Sequence, residues 1–261
     1  MEGRRARILE ALVSRSFYRE GAIDQTLANR LLAALPPVER QSLLAHCEWI
    51  ELKAPQPLDI EPAAHRHAFF PVDSTISVLA PDSEKRGVEI GAVGSEGLFG
   101  PGAVPEAGSC ELRGLVQGSG HAWRIDAATL KHLAARHDGL GGLLSRYLRV
   151  MLVQTARSVA CCRFHSLEQR LARWLLVHSD RSWSPDVTVT HDLLALMLGA
   201  RRAGVTVAAG LLEERGLISA KRGQITVLDR EGLLRAACSC YLRDRQTYEE
   251  GMGVPPSRRR Y

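Results

Sequence analysis

The 261-residue chain lacks several features that would assign it a class at once. No apolar run approaches the roughly 18 residues that a membrane-spanning helix needs, so no membrane partner is expected. The first residues, MEGRRARILEALVSRSFYREG, scatter charge where a secretory signal would carry a basic start, an apolar core and a small-residue cleavage site. The six cysteines contain no C-x-x-C pair. Cys47 and Cys110 stand alone, Cys161 and Cys162 are adjacent, and Cys238 and Cys240 lie one residue apart. That scatter argues against a disulfide framework, a zinc ribbon and thioredoxin-like chemistry, and a reducing cytoplasm is the expected setting. A phosphate loop, metal-ligand spacing, a Ser/His/Asp order and paired carboxylates in a glycine-rich context are missing too, so the sequence does not read as an enzyme.

What is present is ordinary in bulk and uneven in detail. Apolar residues make up 45% and charged ones 24%, globular usage that excludes a disordered or collagen-like chain. Lys and Arg exceed Asp and Glu by 34 to 29. Residues 1–138 hold 15 basic residues against 18 acidic, whereas residues 139–261 hold 19 against 11. A slightly acidic half joined to a basic one predicts two domains, the second facing a polyanion.

Between Asp24 and His46 the leucines Leu27, Leu31, Leu32 and Leu35 recur at helical steps, with Pro36-Pro37 as an interruption. From Trp49 to Ile125 the texture changes. Short apolar stretches (Trp49–Leu52, Phe69–Val72, Thr75–Leu79, Val88–Val93, Leu112–Val116, His121–Ile125) alternate with Gly, Pro, Asp and Ser, which predicts an antiparallel sandwich or barrel. Asp126 is placed to cap a helix over Ala127–Arg136. Gly139–Cys162 then forms a long amphipathic helix without one acidic residue. Leu140, Leu144, Tyr147, Met151, Gln154 and Ser158 make one heptad stripe, with Leu143, Leu148, Leu152, Thr155 and Val159 beside it. Leu140, Leu144, Tyr147, Met151 and Thr155 are the expected contacts with a second copy of the chain, and Arg146, Arg149, Arg157 and Arg163 the expected flanks. Ser166-Leu167-Glu168-Gln169 is a capping box that opens a further helix carrying Leu171, Trp174 and Leu175, closed by a loop over Ser179–Val187.

Residues 189–228 carry the function. Thr190 can cap a short helix from His191 to Leu198, and Gly199 suits the tight turn that follows. A second helix runs from about Arg202 to Arg215, with Val205, Ala208, Ala209 and Leu212 inward and Gly216 at its end. Two helices so joined describe a helix-turn-helix. Leu217–Ala220 and Ile225–Leu228 then flank Lys221-Arg222-Gly223-Gln224, a hairpin with a basic tip. The whole is a winged helix. Its expected DNA contacts are Thr190, Arg201, Arg202, Ala203, Thr206, Lys221 and Arg222, since the start of a recognition helix reaches base edges and arginine can grip guanine in a bidentate manner.

The order of helical start, β-rich domain, long helix and winged helix resembles the Crp/Fnr family of bacterial transcription regulators, over about Asn29 to Tyr241. The matching stretches are LEQRLARWLL, VTHDLLALMLGARRAGVTVAAGLLEERGLI and RGQITVLD, with LLAALPPVERQSLL, HAFFPVDSTISVLA and VEIGAVGSEGLFG in the first half. The resemblance implies an α+β chain in three parts. These are a cyclic-nucleotide-binding-like double-stranded β-helix (jelly roll) at 24–138, a dimerisation helix at 139–163, and a winged helix-turn-helix at 164–243. It further implies a homodimer on double-stranded DNA, at a pseudo-palindromic operator with half-sites about one DNA turn apart. RNA polymerase is a further partner that such a regulator would meet.

Departures from the family pattern set the expectations for ligands. Arg201 stands where the family has a Ser or Thr cap, and Ala203 and Val207 replace a Glu and an Arg of the nucleotide-responsive members, leaving Arg202 as the matching base-reading arginine. Pro101 follows Leu98-Phe99-Gly100 in place of a Glu, and Pro105–Ser109 holds no phosphate-binding arginine, Arg113 falling late. A buried phosphate would thus be unpaired, and cAMP or cGMP is not expected. The first 46 residues contain no cysteine, which removes the family's N-terminal iron–sulfur site. His65 and His67 read as surface residues near a strand start, not as haem or metal ligands, and the paired cysteines as buried structural thiols; no cofactor or metal is expected. The other reading of the chain is a small-molecule-binding or protein-interaction module whose winged helix does not read DNA.

Overall fold

Asn29 ties the first described helix to the sheets. In a computed structural model, which describes residues 27–58, 66–81, 87–100, 112–182 and 184–253, its buried carboxamide oxygen accepts from the first-turn amides of helix α1 (Arg30–Ala34). Its nitrogen donates to the carbonyls of Pro71 and Gly97 at 2.8 and 2.9 Å, joining the helix to the strands behind it. Pro36 breaks the helix and Pro37 starts α2 (Pro37–Leu44), where a missing N–H costs nothing.

Seven strands follow: β1 (Glu48–Leu52), β2 (Gln56–Leu58), β3 (His67–Pro71), β4 (Thr75–Pro81), β5 (Gly87–Val93), β6 (Arg113–Gly118) and β7 (Gly120–Asp126). They form two antiparallel sheets, ordered β1-β7-β3 and β2-β6-β4-β5. Phe69, Ile76, Val78, Val93, Phe99 and Val116 share a core within this unit. Strand β2 lies in a proline-containing stretch that is not among the apolar stretches read as strands from the sequence. It survives because it is a sheet edge paired only with β6, where Pro57 disturbs little.

Helix α3 (Ala127–Arg136) opens on Asp126, which accepts the Thr129 amide at 2.8 Å as its sequence position predicts. Helix α4 (Asp138–Phe164) has 27 residues and so spans about 40 Å. Its two apolar stripes are used differently from the expectation. Leu140, Leu144 and Tyr147 are buried in the chain's own core with Leu31, Phe70, Ile125 and Leu130, and half-buried Met151 packs on the same core. Leu140, Leu144 and Tyr147 are therefore not open to a second chain. The open stripe is its neighbour, on which Leu148, Leu152 and Val159 are 37%, 70% and 68% exposed. Ser145, Leu148, Leu152, Thr155, Val159 and Cys162 fall at alternating steps of three and four, the spacing of a coiled-coil seam.

The remainder comprises α5 (Leu167–Ser182), β8 (Asp186–Thr188), α6 (His191–Met197), α7 (Arg202–Glu214), β9 (Ile218–Lys221), β10 (Gln224–Val227), α8 (Arg230–Ala236) and α9 (Cys240–Met252). The capping box holds, Ser166 and Gln169 exchanging amide-to-side-chain bonds at 3.1 and 3.3 Å. The loop expected over Ser179–Val187 is mostly regular, since α5 runs to Ser182 and β8 pairs with β10. Helix α9 extends nine residues beyond 243 and returns along α4. Its Asp244 is buried and accepts from Arg157 and, at 2.7 Å, from Arg173, so Arg157 is tied within the chain and is not a flank of the open stripe. Tyr248 donates to the Glu96 carbonyl at 2.7 Å.

Buried ions join α5 to the sheets. Glu89 on β5 accepts from Ser77 at 2.6 Å and Trp174 at 3.1 Å, and lies 3.2 Å from His178 Nε2, while Arg181 donates to Glu96 at 2.7 Å. Burial by itself would raise the Glu89 carboxyl. The His178 charge and the bonds from His178, Ser77 and Trp174 outweigh it and hold Glu89 below the usual carboxylate range. A carboxylate with a lowered folded pKa stabilises above its unfolded value, about 4.3, and loses that contribution as pH falls through the lowered one. Acid titration of the thermal midpoint should accordingly fall less steeply below about pH 5 in Glu89→Gln than in the wild type. Parallel curves would remove Glu89 from the acid response.

Candidate nucleic-acid interface

Helix α6 begins at Thr190, whose hydroxyl oxygen accepts the Leu193 amide at 3.2 Å. It stops at Leu198, and Gly199 takes φ 56°, a conformation that a side chain would strain. The chain turns there through 106° into α7. Val205, Ala208, Ala209 and Leu212 face a core that includes Leu171, Leu175, Leu194, Met197, Ile218 and Ile225. Fully burying leucine-sized side chains contributes roughly 2–3 kcal/mol each, enough to set which face of α7 turns outward.

That outward face carries Arg201, Arg202, Ala203, Thr206 and Val207, all exposed. Arg201 occupies the cap position and makes no side-chain bond to the helix, so the first-turn amides of α7 have no side-chain cap. The Arg202 Nε lies 3.3 Å from Asp192, but the two side chains are 69% and 71% exposed and such a pair holds weakly in water. Its remaining guanidinium donors can turn toward a ligand. Thr206 bonds back to the Arg202 carbonyl and lies 3.1 Å from His191 Nδ1, which places His191 beside the recognition face.

The wing tip is a two-residue loop. Lys221 pairs with Gln224, and Arg222 and Gly223 between them take φ 46° and 79°, the left-handed pair of a type I′ turn. Arginine is an unusual occupant of a place that favours Asn or Asp, and it sets a guanidinium at the most advanced point of the hairpin. The wing and the two helices form one rigid piece: β8 adds a third strand beside β10, and the Val189 amide donates to the Gly223 carbonyl at 2.8 Å. All seven residues expected at DNA thus lie on this unit, every one of them exposed, at Thr190, at the start of α7 and at the wing. Sequence reasoning gave Val207 no DNA contact; its exposure beside Ala203, one turn away, is the signal that marks it.

Other expected ligand positions are less informative. Pro101 and Pro105–Ser109 lie outside the described residues, as does His65, while His67 is half-buried on β3. A cavity of about 150 Å³ lies where β5, α4, α5 and α9 meet, lined among others by Glu89, Tyr147, Met151, Trp174, Arg181 and Asp244. The cysteines are partly as expected: Cys161, Cys238 and Cys240 are buried, whereas Cys162 is exposed. The spacing did not show that the three buried thiols meet His165 in one cluster, where the four donor atoms lie within 4.8 Å of one another. These four are the described residues with the donor chemistry to hold a metal ion.

Residues 169–236 match the family of Crp-like helix-turn-helix domains. No curated protein matches the sequence. Solved structures do. One described as a Crp/Fnr-family transcriptional regulator from Eubacterium rectale superposes with a TM-score of 0.64 at 15% identity, covering 80% of this chain and 98% of that one. TTHA1359, a Crp/Fnr-family regulator from Thermus thermophilus, gives 0.55 at 23% identity over 73% and 98%. FixK2 from Bradyrhizobium japonicum gives 0.60 at 14% over 74% and 98%. The chain therefore carries a Crp-like helix-turn-helix domain within a Crp/Fnr-like fold of antiparallel sheets, long helix and C-terminal helix-turn-helix.

The wing turn is open to a direct stability test. A residue with a β-carbon in the left-handed region costs about 1–2 kcal/mol, much of which Asn avoids. Arg222→Asn should therefore stabilise the fold by roughly 1 kcal/mol in chemical denaturation. A loss of stability would mean that the arginine side chain holds the turn.

Proposed function

We propose that the chain is a dimeric, sequence-specific DNA-binding regulator of transcription of the Crp/Fnr type. The observation that carries this reading is the joint presentation of Arg201, Arg202 and Thr206 with Lys221 and Arg222 on one rigid unit, all exposed and, among the described residues, with the weak Asp192 contact as their acidic neighbour. Arg202 reads a base edge, with guanine O6 and N7 as its natural partners. Ala203 and Val207 offer methyl groups suited to thymine. The uncapped amides at the start of α7, with Arg201, receive one phosphate, and Lys221 and Arg222 another.

Two copies pair through the open stripe of α4, Leu148, Leu152, Thr155 and Val159, which supplies an apolar seam that a lone chain leaves in water. Pairing about a two-fold axis makes the operator pseudo-palindromic. The β domain acts on the reading unit through the Glu89–His178 and Glu96–Arg181 contacts and not through a cyclic nucleotide, in keeping with the missing phosphate-binding arginine. RNA polymerase is the partner through which such a complex would act, and the chain performs no reaction of its own.

Selection from a random duplex pool should return a site with two-fold symmetry, bound with affinity that falls steeply as salt rises. Arg202→Ala should reduce discrimination at one base pair per half-site by roughly 1–3 kcal/mol, whereas Arg222→Asn should weaken all duplexes alike and lower the salt slope by about one. Absence of any salt-dependent duplex binding would refute the reading. For the seam, Leu152→Glu should sediment as a folded monomer. Leu144→Glu should instead unfold, because that side chain is 5% exposed in the core. A persistent Leu152→Glu dimer would refute the interface.

A further inference from the structure

Three elements bring soft donors to one point. Cys161 stands in the last turn of α4, His165 caps the same helix, and Cys238 and Cys240 bracket the step from α8 to α9. Cys161 Sγ lies 3.5 Å from Cys238 Sγ, and Cys240 Sγ lies 3.7 Å from His165 Nδ1. A tetrahedral zinc ion with Zn–S near 2.3 Å and Zn–N near 2.05 Å separates its sulfurs by about 3.8 Å and sulfur from nitrogen by about 3.6 Å. These two separations sit close to those edges, and all four donor atoms lie within 4.8 Å of one another. An iron–sulfur cluster would need its thiolates further apart, because sulfide and several irons stand between them.

We infer that Cys161, His165, Cys238 and Cys240 form a four-ligand Cys3His site for a single zinc ion. The donor set is soft and complete, and the three thiols are buried, so the site is closed and structural and leaves no position for a reacting water. Three thiolates and a divalent ion carry one net negative charge. Arg173 answers it: its guanidinium lies within electrostatic reach of Cys161 and Cys238, and its buried Nε has no hydrogen-bond partner among the described residues. The ion's place in the chain gives it a task. Only His165 and Ser166 separate α4 from α5, so a bond to His165 clamps the joint between the long helix and the reading unit to the α8–α9 corner. That consequence rests on the DNA-binding reading above, whereas the metal site does not.

Full-length protein purified without chelator should contain about one zinc per chain. Replacement by cobalt should give thiolate-to-cobalt charge-transfer absorption and the intense visible bands of tetrahedral coordination. Cys238→Ser and His165→Ala should lose the bound metal, while Cys162→Ser and Cys47→Ser keep it. Should Cys238→Ser fail to fold, the wild type still decides: stripping zinc with a strong chelator should lower the thermal midpoint, and added zinc alone should restore it. A wild-type chain that takes up neither zinc nor cobalt, or that reacts fully with a thiol reagent in the presence of zinc, overturns the site. Metal binding with duplex affinity unchanged on zinc removal keeps the site and overturns the clamp.

Discussion

Glu89 is a carboxylate almost without water, and the placement of the reading unit depends on how its charge is met. It sits on β5, yet two of its partners, Trp174 and His178, belong to α5, the helix on which α7 packs. A buried carboxylate left without partners would cost several kcal/mol, so separating β5 from α5 is penalised well beyond the apolar area involved. Trp174 and His178 stack with ring centres 3.8 Å apart, which holds both donors on the same carboxylate. Glu96 with Arg181, one turn further along α5, repeats the arrangement. The contact is ionic and hydrogen-bonded, and that makes it more specific in register than apolar packing alone.

A second constraint comes from α4, which has more apolar surface than one partner can cover. Its inner stripe completes the core beneath β3 and β7, and its outer stripe remains. Helix α9 takes a third side, through Asp244 on Arg157 and Gln154 on the Asp244 carbonyl. A helix bound on two sides within its own chain offers a second copy only what is left. The proposed seam through Leu152 thus rests on exclusion as much as on its own residues.

The reading unit was legible in the sequence because its determinants are local. Thr190, Gly199, Gly216 and the Lys221–Gln224 turn each act over a few residues, and each stands in the structure where its chemistry predicts. Asp126 and the Ser166–Gln169 box were legible for the same reason. What was misread depends on distance along the chain. Heptad spacing finds both stripes of α4 and cannot say which one faces β3. The polar sequence of α9 gives no apolar signal, since ion pairs and the phenols of Tyr241 and Tyr248 bury it. The four soft donors span residues 161 to 240, a separation that no local spacing rule relates to one ligand sphere.

The two-residue wing loop bears on timing as well as shape. Its turn is closed by a ladder pair on one side and tethered to the start of α6 on the other, so its backbone is ordered before any ligand arrives. A longer, looser wing would surrender conformational freedom on reaching a phosphate; this one gives up little beyond the rotamers of two side chains. In the proposed DNA complex its contacts would therefore bear chiefly on how long the complex lasts, and the long-range field of the basic half on how often it forms.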